Sequence, residues 1–226
     1  MRLSKHIGER GQIAPVALFG VLIASAVLVV MYNTGQKVTE RSQVANAADA
    51  AAYSGAVWVA RHLNFMLETE IYRSQRYGYE FSLIFIDLDH FKQINDTHGH
   101  LVGSRLLGEI GKMIKDHCRL IDFAFRYGGD EFVVLLPQTS KEHAYVVARR
   151  LHRLIRETTW LKVQNMEIRI TASVGVSSYP ADSTSKSELL HLADEAMYLV
   201  KNTSRDSVAA ANVGLLPAPA PAPAKK

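Results

Sequence analysis

The chain has 226 residues, 48% of them hydrophobic and 21% charged, which is enough for one domain of ordinary size with an appendage and excludes disorder throughout. The formal net charge of +4 permits acidic partners such as nucleotides or lipid headgroups, but the basic residues read as scattered rather than gathered into a stripe, so no DNA- or RNA-binding face is expected. The single cysteine, Cys118, excludes an internal disulfide and has no partner at zinc-ligand spacing, which suits a reducing compartment.

In chain order, the basic opening MRLSKHIGER gives way to residues 11–36 without a charged side chain, and Ile13–Met31 is an apolar run of bilayer-spanning length. It predicts one transmembrane helix within residues 1–36. A cleaved signal peptide and a buried core helix are the alternatives; the run is long for the first and too continuously apolar for an amphipathic helix. Residues 37–60 read as an Ala-rich linker or helix. The apolar helix followed by "NAADAAA" resembles the N-terminal segment of TadE/TadG-like pilus-assembly proteins.

A globular pattern follows. Residues 61–76 read as a helix, "FSLIFID" as a buried strand, and "RLLGEIGKMIKDHC" continues in helical spacing. "DFAFRY" and "EFVVLLP" are two short strands joined at Gly128-Gly129. "KEHAYVVARRLHRLIRET" predicts a helix, "EIRITASVGVSSYP" a strand and "KSELLHLADEAMYLVK" a last helix. This alternation predicts an α/β domain over residues 61–208, a central sheet flanked by helices. Residues 209–226, ending in an Ala-Pro repeat, read as an extended solvated tail without chemistry.

The acids sit at strand ends. "FIDLDHF" closes an apolar strand on Asp87 and Asp89, and the hairpin adds Asp130 and Glu131. Carboxylates delivered by buried strands to neighbouring edges of one sheet are unfavourable unless a cation joins them. Mg²⁺, or Mn²⁺ in its place, suits oxygen ligands shared with water and nucleotide phosphates. Gly128 and Gly129 let a phosphate or base approach the backbone closely. A lone GGDE tetrad would read more simply as a polar hairpin with solvated acids.

Here the tetrad is accompanied. "RYGGDEF" together with "DLDHFKQINDTHGH" resembles the GGDEF family of diguanylate cyclases over residues 61–205. The resemblance implies a fold like that of adenylyl cyclases and polymerase palms. It also implies a homodimer that condenses two nucleoside triphosphates into a cyclic dinucleotide with release of pyrophosphate. By the same resemblance, Asp87, the Leu88 carbonyl and Asp130 hold Mg²⁺, and Glu131 helps with metal or acts as base toward the 3′-hydroxyl. Lys92, Lys201 and Arg205 match triphosphate-contacting residues, Asn95 matches the residue that reads the base edge, and Asp89 is structural, a cap for the helix that follows. Arg119 and Asp122, in "RLID", match the RxxD product-inhibition site, with Arg150 as a contact from a second subunit.

Two departures stand out. The family's usual D-x-L-T-G-L-x-N-R-R start is replaced by "SGAVWVARHLNF", and the pattern G-H-x-x-G-D reads "GHLVGS", which puts Ser104 at the aspartate position. Aspartate accepts hydrogen bonds from guanine's N–H edge and repels the lone pair of adenine N1, whereas serine both donates and accepts. Ser104 resembles the hybrid promiscuous branch, which makes 3′,3′-cyclic GMP–AMP from GTP and ATP alongside cyclic di-GMP. A degenerate cyclase retained as a cyclic-dinucleotide sensor and a pilus-associated membrane protein are the competing readings. Arg2, Lys5 and Arg10 oppose Lys37, Arg41 and Arg61 across the apolar run. The expected place is a bacterial inner membrane with the catalytic domain in the cytoplasm, where GTP and ATP are.

Overall fold

The computed structural model describes residues 25, 27–34, 36–37, 59–162, 166–212 and 214–215. The chain divides into two units, residues 1–55 and 56–226. In the first, residues 27–34 are helical and Val27, Leu28, Val29, Val30, Met31 and Tyr32 are exposed. Most of the expected membrane span lies outside the described residues, as does nearly all of the Ala-rich segment. Among the described residues, no helix is long and apolar enough to cross a membrane.

The second unit opens with helix α1 at residues 59–77. Strand β1 (Phe81–Leu88) is followed by α2 (Phe91–His98), α3 (His100–Asp116), β2 (Phe123–Arg126), β3 (Glu131–Leu136) and α4 (Lys141–Glu157). Strand β4 (Ala172–Tyr179), α5 (Lys186–Thr203), β5 (Ser207–Ala210) and β6 (Gly214–Leu215) complete it. The strands form one six-stranded mixed sheet in the order β2-β3-β1-β4-β5-β6. Central β1 runs antiparallel to both β3 and β4, and β5 lies parallel to β4.

Both faces of this sheet are covered, which is why "FSLIFID" reads as a continuous apolar run. Ile84, Ile86 and Leu88 pack into a cluster with Leu106 and Ile110 of α3 and Leu151 of α4. Phe81, Leu83 and Phe85 point the other way, into a cluster with Leu63 and Leu67 of α1 and Leu189 and Met197 of α5. Side chains alternate across a strand, so Asp87 is the next residue in the second series.

Three expectations are corrected. The strand read over "EIRITASVGVSSYP" begins only at Ala172; the preceding Ile168 and Ile170 are buried in the first cluster, and Ile168 bridges Trp160 alone. Their alternation records burial under helices rather than a place in the ladder. The solvated tail does not start at residue 209, because Ala209 and Ala210 belong to β5 and are fully or nearly fully buried. Small side chains allow β5 to lie beneath α5, and composition alone hides this. The basic residues are also less scattered than expected, since α4 gathers Arg149, Arg150, Arg153 and Arg156 around one cavity.

Gly175 marks the closest approach of sheet and helix. A Cβ there would lie 2.0 Å from the Ala193 carbonyl oxygen and 2.4 Å from the Met197 nitrogen, both backbone atoms of α5. Neither can rotate away. Gly175→Ala is expected to lower unfolding stability by about 1–3 kcal/mol, the usual range for overpacking. The check is the midpoint of denaturant unfolding.

Candidate active site

The acids meet because of register. Phe81, Leu83, Phe85 and then Asp87 share one face of β1, and Leu135, Val133 and then Glu131 share the same face of β3. The ladder pairs Asp87 directly with Glu131. Side chains opposed in this way stand about 4.5–5.5 Å apart at Cβ, and like charges there destabilise the pair. The hairpin brings the third acid in: the Leu88 amide donates to the Asp130 carbonyl at 3.2 Å, and the Tyr127 amide donates to the Glu131 carbonyl at 2.8 Å. Arg126 clamps the turn from below, donating to the Gly129 carbonyl at 2.8 Å and 3.2 Å.

The glycines of the turn serve space rather than dihedral freedom, for neither has a positive φ. A Cβ on Gly128 would meet Glu131 Oε2 at 2.3 Å, while Gly129 faces open space.

The electrostatics follow from this crowding. Burial pushes the Asp87 pKa up, against the hydrogen bond and charge of Lys201, and Asp130 and Asp89 push it further. Burial also raises Glu131, reinforced by Asp87, Asp130 and Asp194. Lys201, from the last turn of α5, donates to Asp87 Oδ2 at 2.8 Å. Burial works against its ammonium, but Asp87, Asp130 and Glu131 outweigh that and raise its pKa.

The other polar residues of the expected site lie on α2, α3 and the turn after α5. Asn95 of α2 and Gly103 of α3 mark the crossing of those helices, where a Cβ at Gly103 would fall 1.9 Å from Asn95 Oδ1. Ser104 follows Gly103 and is exposed, and Lys92 is exposed one turn before Asn95. Arg205 lies just beyond α5 with φ of 51°, and its guanidinium reaches His90 Nε2 at 3.2 Å, beside the end of β1.

Residues 57–207 match the family described as "Diguanylate cyclase, GGDEF domain". The chain belongs to the GGDEF family. A second match, "Flp pilus-assembly TadE/G-like", covers residues 11–58. Diguanylate cyclase A of Treponema denticola is 42% identical over 127 residues, 56% of this chain and 34% of that protein. The response regulator PleD of Caulobacter vibrioides is 34% identical over 149 residues, 66% of this chain and 33% of that protein. The chain thus spans about a third of the length of these curated relatives. Among solved structures, the GGDEF domain of YfiN (TpbB) from Pseudomonas aeruginosa aligns with a TM-score of 0.64 at 29% identity, covering 68% of this chain and 96% of that one. The GGDEF domain of DgcB from Caulobacter crescentus, in complex with c-di-GMP, aligns with a TM-score of 0.61 at 25% identity, covering 66% and 88%.

Within this GGDEF domain Asp87, Asp130, Glu131 and Lys201 come together, whereas Arg119 and Asp122 lie at the other end of β3. Arg119 pairs with buried Asp122 at 3.2 Å and its Nη2 reaches the Thr139 hydroxyl just past β3. Glu131 begins β3, so the two regions lie about 20 Å apart along that strand. Arg150 donates to the His117 carbonyl at 2.9 Å, beside the Arg119 loop of its own chain. Cys118, in the same loop, is held as a thiol, its pKa pushed up to about 11 chiefly by burial.

Asp89 is structural but does not cap α2. The position before α2 is His90, in a left-handed conformation with no side-chain cap. Asp89 instead accepts from the Thr171 hydroxyl at 2.7 Å, the Ser173 hydroxyl at 2.8 Å and the Asp206 amide at 3.1 Å. It ties the end of β1 to the start of β4 and to the turn into β5. Asp194, which bears on Glu131, was not singled out from sequence; its position seven residues before Lys201, on one face of α5, is the signal that finds it.

The donor set suits a hard divalent cation. Asp87 Oδ1 is buried without a hydrogen-bond partner, and the pKa values of Asp87 and Glu131 are both raised, by burial first and then by neighbouring acids. Among the described residues no three His, Cys, Asp or Glu side chains are grouped closely enough to hold a metal by themselves.

Because both raised carboxylates disfavour ionisation in the fold, this site's stability is greatest below the ordinary carboxylate range and is lost as pH rises through the raised values. Glu131→Gln should therefore raise the stability of divalent-free protein near neutral pH, by a few tenths to about 1 kcal/mol. The gain should vanish below about pH 4, where glutamate is already protonated. Thermal melts at both pH values check this; equal gains at both would show that the acids do not repel.

Proposed function

We propose that the domain is a diguanylate cyclase-type nucleotidyltransferase that condenses two nucleoside triphosphates into a cyclic dinucleotide. The observation that carries this is the direct opposition of Asp87 and Glu131 beside Asp130 at the open hairpin. The names of the relatives, and the c-di-GMP complex of DgcB, support the same chemistry.

In this reading the 3′-hydroxyl of one nucleotide attacks the α-phosphorus of the other. The P–O bond to pyrophosphate breaks, and a second, reciprocal attack closes the ring. Each domain holds one triphosphate, so two copies face one another as a homodimer. Glu131, whose pKa is raised by burial and by neighbouring acids, helps hold the metal or accepts the hydroxyl proton. Lys201 exchanges its bond to Asp87 for phosphate oxygens, and Lys92 and Arg205 hold the rest of the triphosphate. Mg²⁺ or Mn²⁺, held by Asp87, the Leu88 carbonyl, Asp130 and Glu131, would offset charge at the α-phosphate. The apolar run near the N-terminus would anchor the chain in an inner membrane, with this domain in the cytoplasm.

Base choice rests on Asn95 and Ser104, adjacent at the α2–α3 crossing. Serine can satisfy either purine edge, so the pocket takes GTP and ATP and yields cyclic GMP–AMP together with cyclic di-GMP. Purified full-length protein with equimolar GTP and ATP and Mg²⁺ should give both products, resolved by mass. Ser104→Asp should increase discrimination against adenine by about 1–3 kcal/mol, or about 5- to 150-fold, and collapse the mixture toward cyclic di-GMP. An unchanged ratio rejects the role of Ser104, and no cyclic product from either protein rejects the activity.

The Arg119–Asp122 pair, far along β3 from the acids, is read as a product site. Arg119→Ala should then leave the initial rate nearly unchanged and raise the amount of cyclic dinucleotide accumulated. Progress curves with product added at the start provide the measurement, and superimposable curves for variant and parent would leave the pair a structural tie only.

A further inference from the structure

The face of α4 presents a second concentration of charge, opposite in sign to the active site and unused by the reaction. Arg149, Arg153 and Arg156 follow one another at i, i+4 and i+7, so they form a stripe about 10 Å long on one side of the helix. They line a cavity of about 370 Å³ with Val146, Arg150 and His152. Like charges at this spacing destabilise a helix, and among the described residues the stripe is only partly neutralised. Among the described residues, Arg149 and Arg153 have no carboxylate within ion-pair distance, and Arg156 has only the long contacts to Asp206 at 3.8 Å and Glu157 at 3.9 Å.

Arg149 carries the most telling atom. Its guanidinium is held against Tyr145, yet Nη1 is shielded from solvent with no acceptor. A desolvated cationic N–H without a partner is costly, and Arg149 also lines the cavity, where an anion would offset the charge of its guanidinium. Arg156 also borders a second cavity of about 460 Å³, whose wall includes Arg169, Thr97 and His98. The two hollows share Arg156, and the second is walled as well by Asp89, whose oxygens are already engaged, and by Gln93 and Ile94 of α2. A concave trough with several guanidiniums fits a molecule bearing more than one phosphate better than a single small anion.

We propose that Arg149, Arg153 and Arg156 form a binding site for a phosphate-rich small anion of the polyphosphate or nucleoside-polyphosphate class, separate from the triphosphate contacts at Lys92, Lys201 and Arg205. Arg150 is left out of the set because its guanidinium is engaged by the His117 carbonyl. The site also has a route to the reaction centre. Asp206 accepts from His152, contacts Arg156 and donates its amide to Asp89, and it adjoins Arg205 in the same left-handed turn. An anion that draws Arg156 away from Asp206 would act on the turn that carries Arg205.

The test uses the full chain bearing Lys92→Gln, Lys201→Gln and Arg205→Gln, so that the triphosphate contacts are silent. Inorganic tripolyphosphate is titrated calorimetrically in low-salt, divalent-free buffer. One equivalent should bind, more weakly as salt is added, and Arg149→Gln with Arg153→Gln should weaken it tenfold or more. If that double variant does not fold by circular dichroism, Arg153→Glu at its exposed position should show the same loss. Absence of binding, or an affinity indifferent to these arginines, overturns the proposal. A parallel arm sediments the same proteins with phosphatidylglycerol vesicles. Arginine-dependent sedimentation without arginine-dependent tripolyphosphate binding would assign the trough to a lipid surface and likewise overturn it.

Discussion

Asp87 and Glu131 oppose each other across the β1–β3 ladder, in positions where both strands have so far placed apolar side chains on that face. Two half-desolvated carboxylates in this arrangement push the strand ends apart. They stay together because the ladder below them is paired from Ser82 to Asp87 and buried on both sides, and because the Leu88 amide is bonded to the hairpin at Asp130. The strain of like charge is thus carried by the core. What it leaves at the surface is a site that favours cations, met in this structure by the Lys201 ammonium.

Asp89 shows how a buried carboxylate becomes structural rather than reactive. It lies two residues from Asp87 on the same face of the chain's path, but three donors from three different segments occupy its oxygens. Those bonds set the left-handed turn at His90 from one side and the Arg205–Asp206 turn from the other. The start of α2 and the turn that carries Arg205 are therefore oriented from the same anchor. Asp87 differs only in its surroundings: one oxygen on Lys201 and the other without a partner.

Much of this was legible in the sequence. The helices at residues 61–76, 141–158 and 186–201 and the strands of the hairpin stand where apolar periodicity puts them, because each element's buried face is set by residues three, four or two apart. The acids could be named from their places at strand ends, and Asn95, Ser104 and the basic residues through the resemblance to the GGDEF family. Edges were less legible. Ile168 and Ile170 alternate as a strand does yet pair almost nowhere, and Ala209 and Ala210 read as the start of a tail yet fill the sheet under α5. Alternation and small side chains report burial, not hydrogen-bond partners.

The sequence by itself determined the family, the chemical character of each site residue and the type of most elements, because those depend on neighbours within about two helical turns. Tertiary structure alone decided which carboxylate would be free and which tied. It set Glu131 opposite Asp87, brought Lys201 across 114 positions to the same oxygen pair, and held Arg119 at the far end of β3. Register, helix approach and the solvent exposure of single atoms exist only once distant segments pack. A carboxylate's pKa and partners depend on those contacts rather than on the residues beside it in the chain.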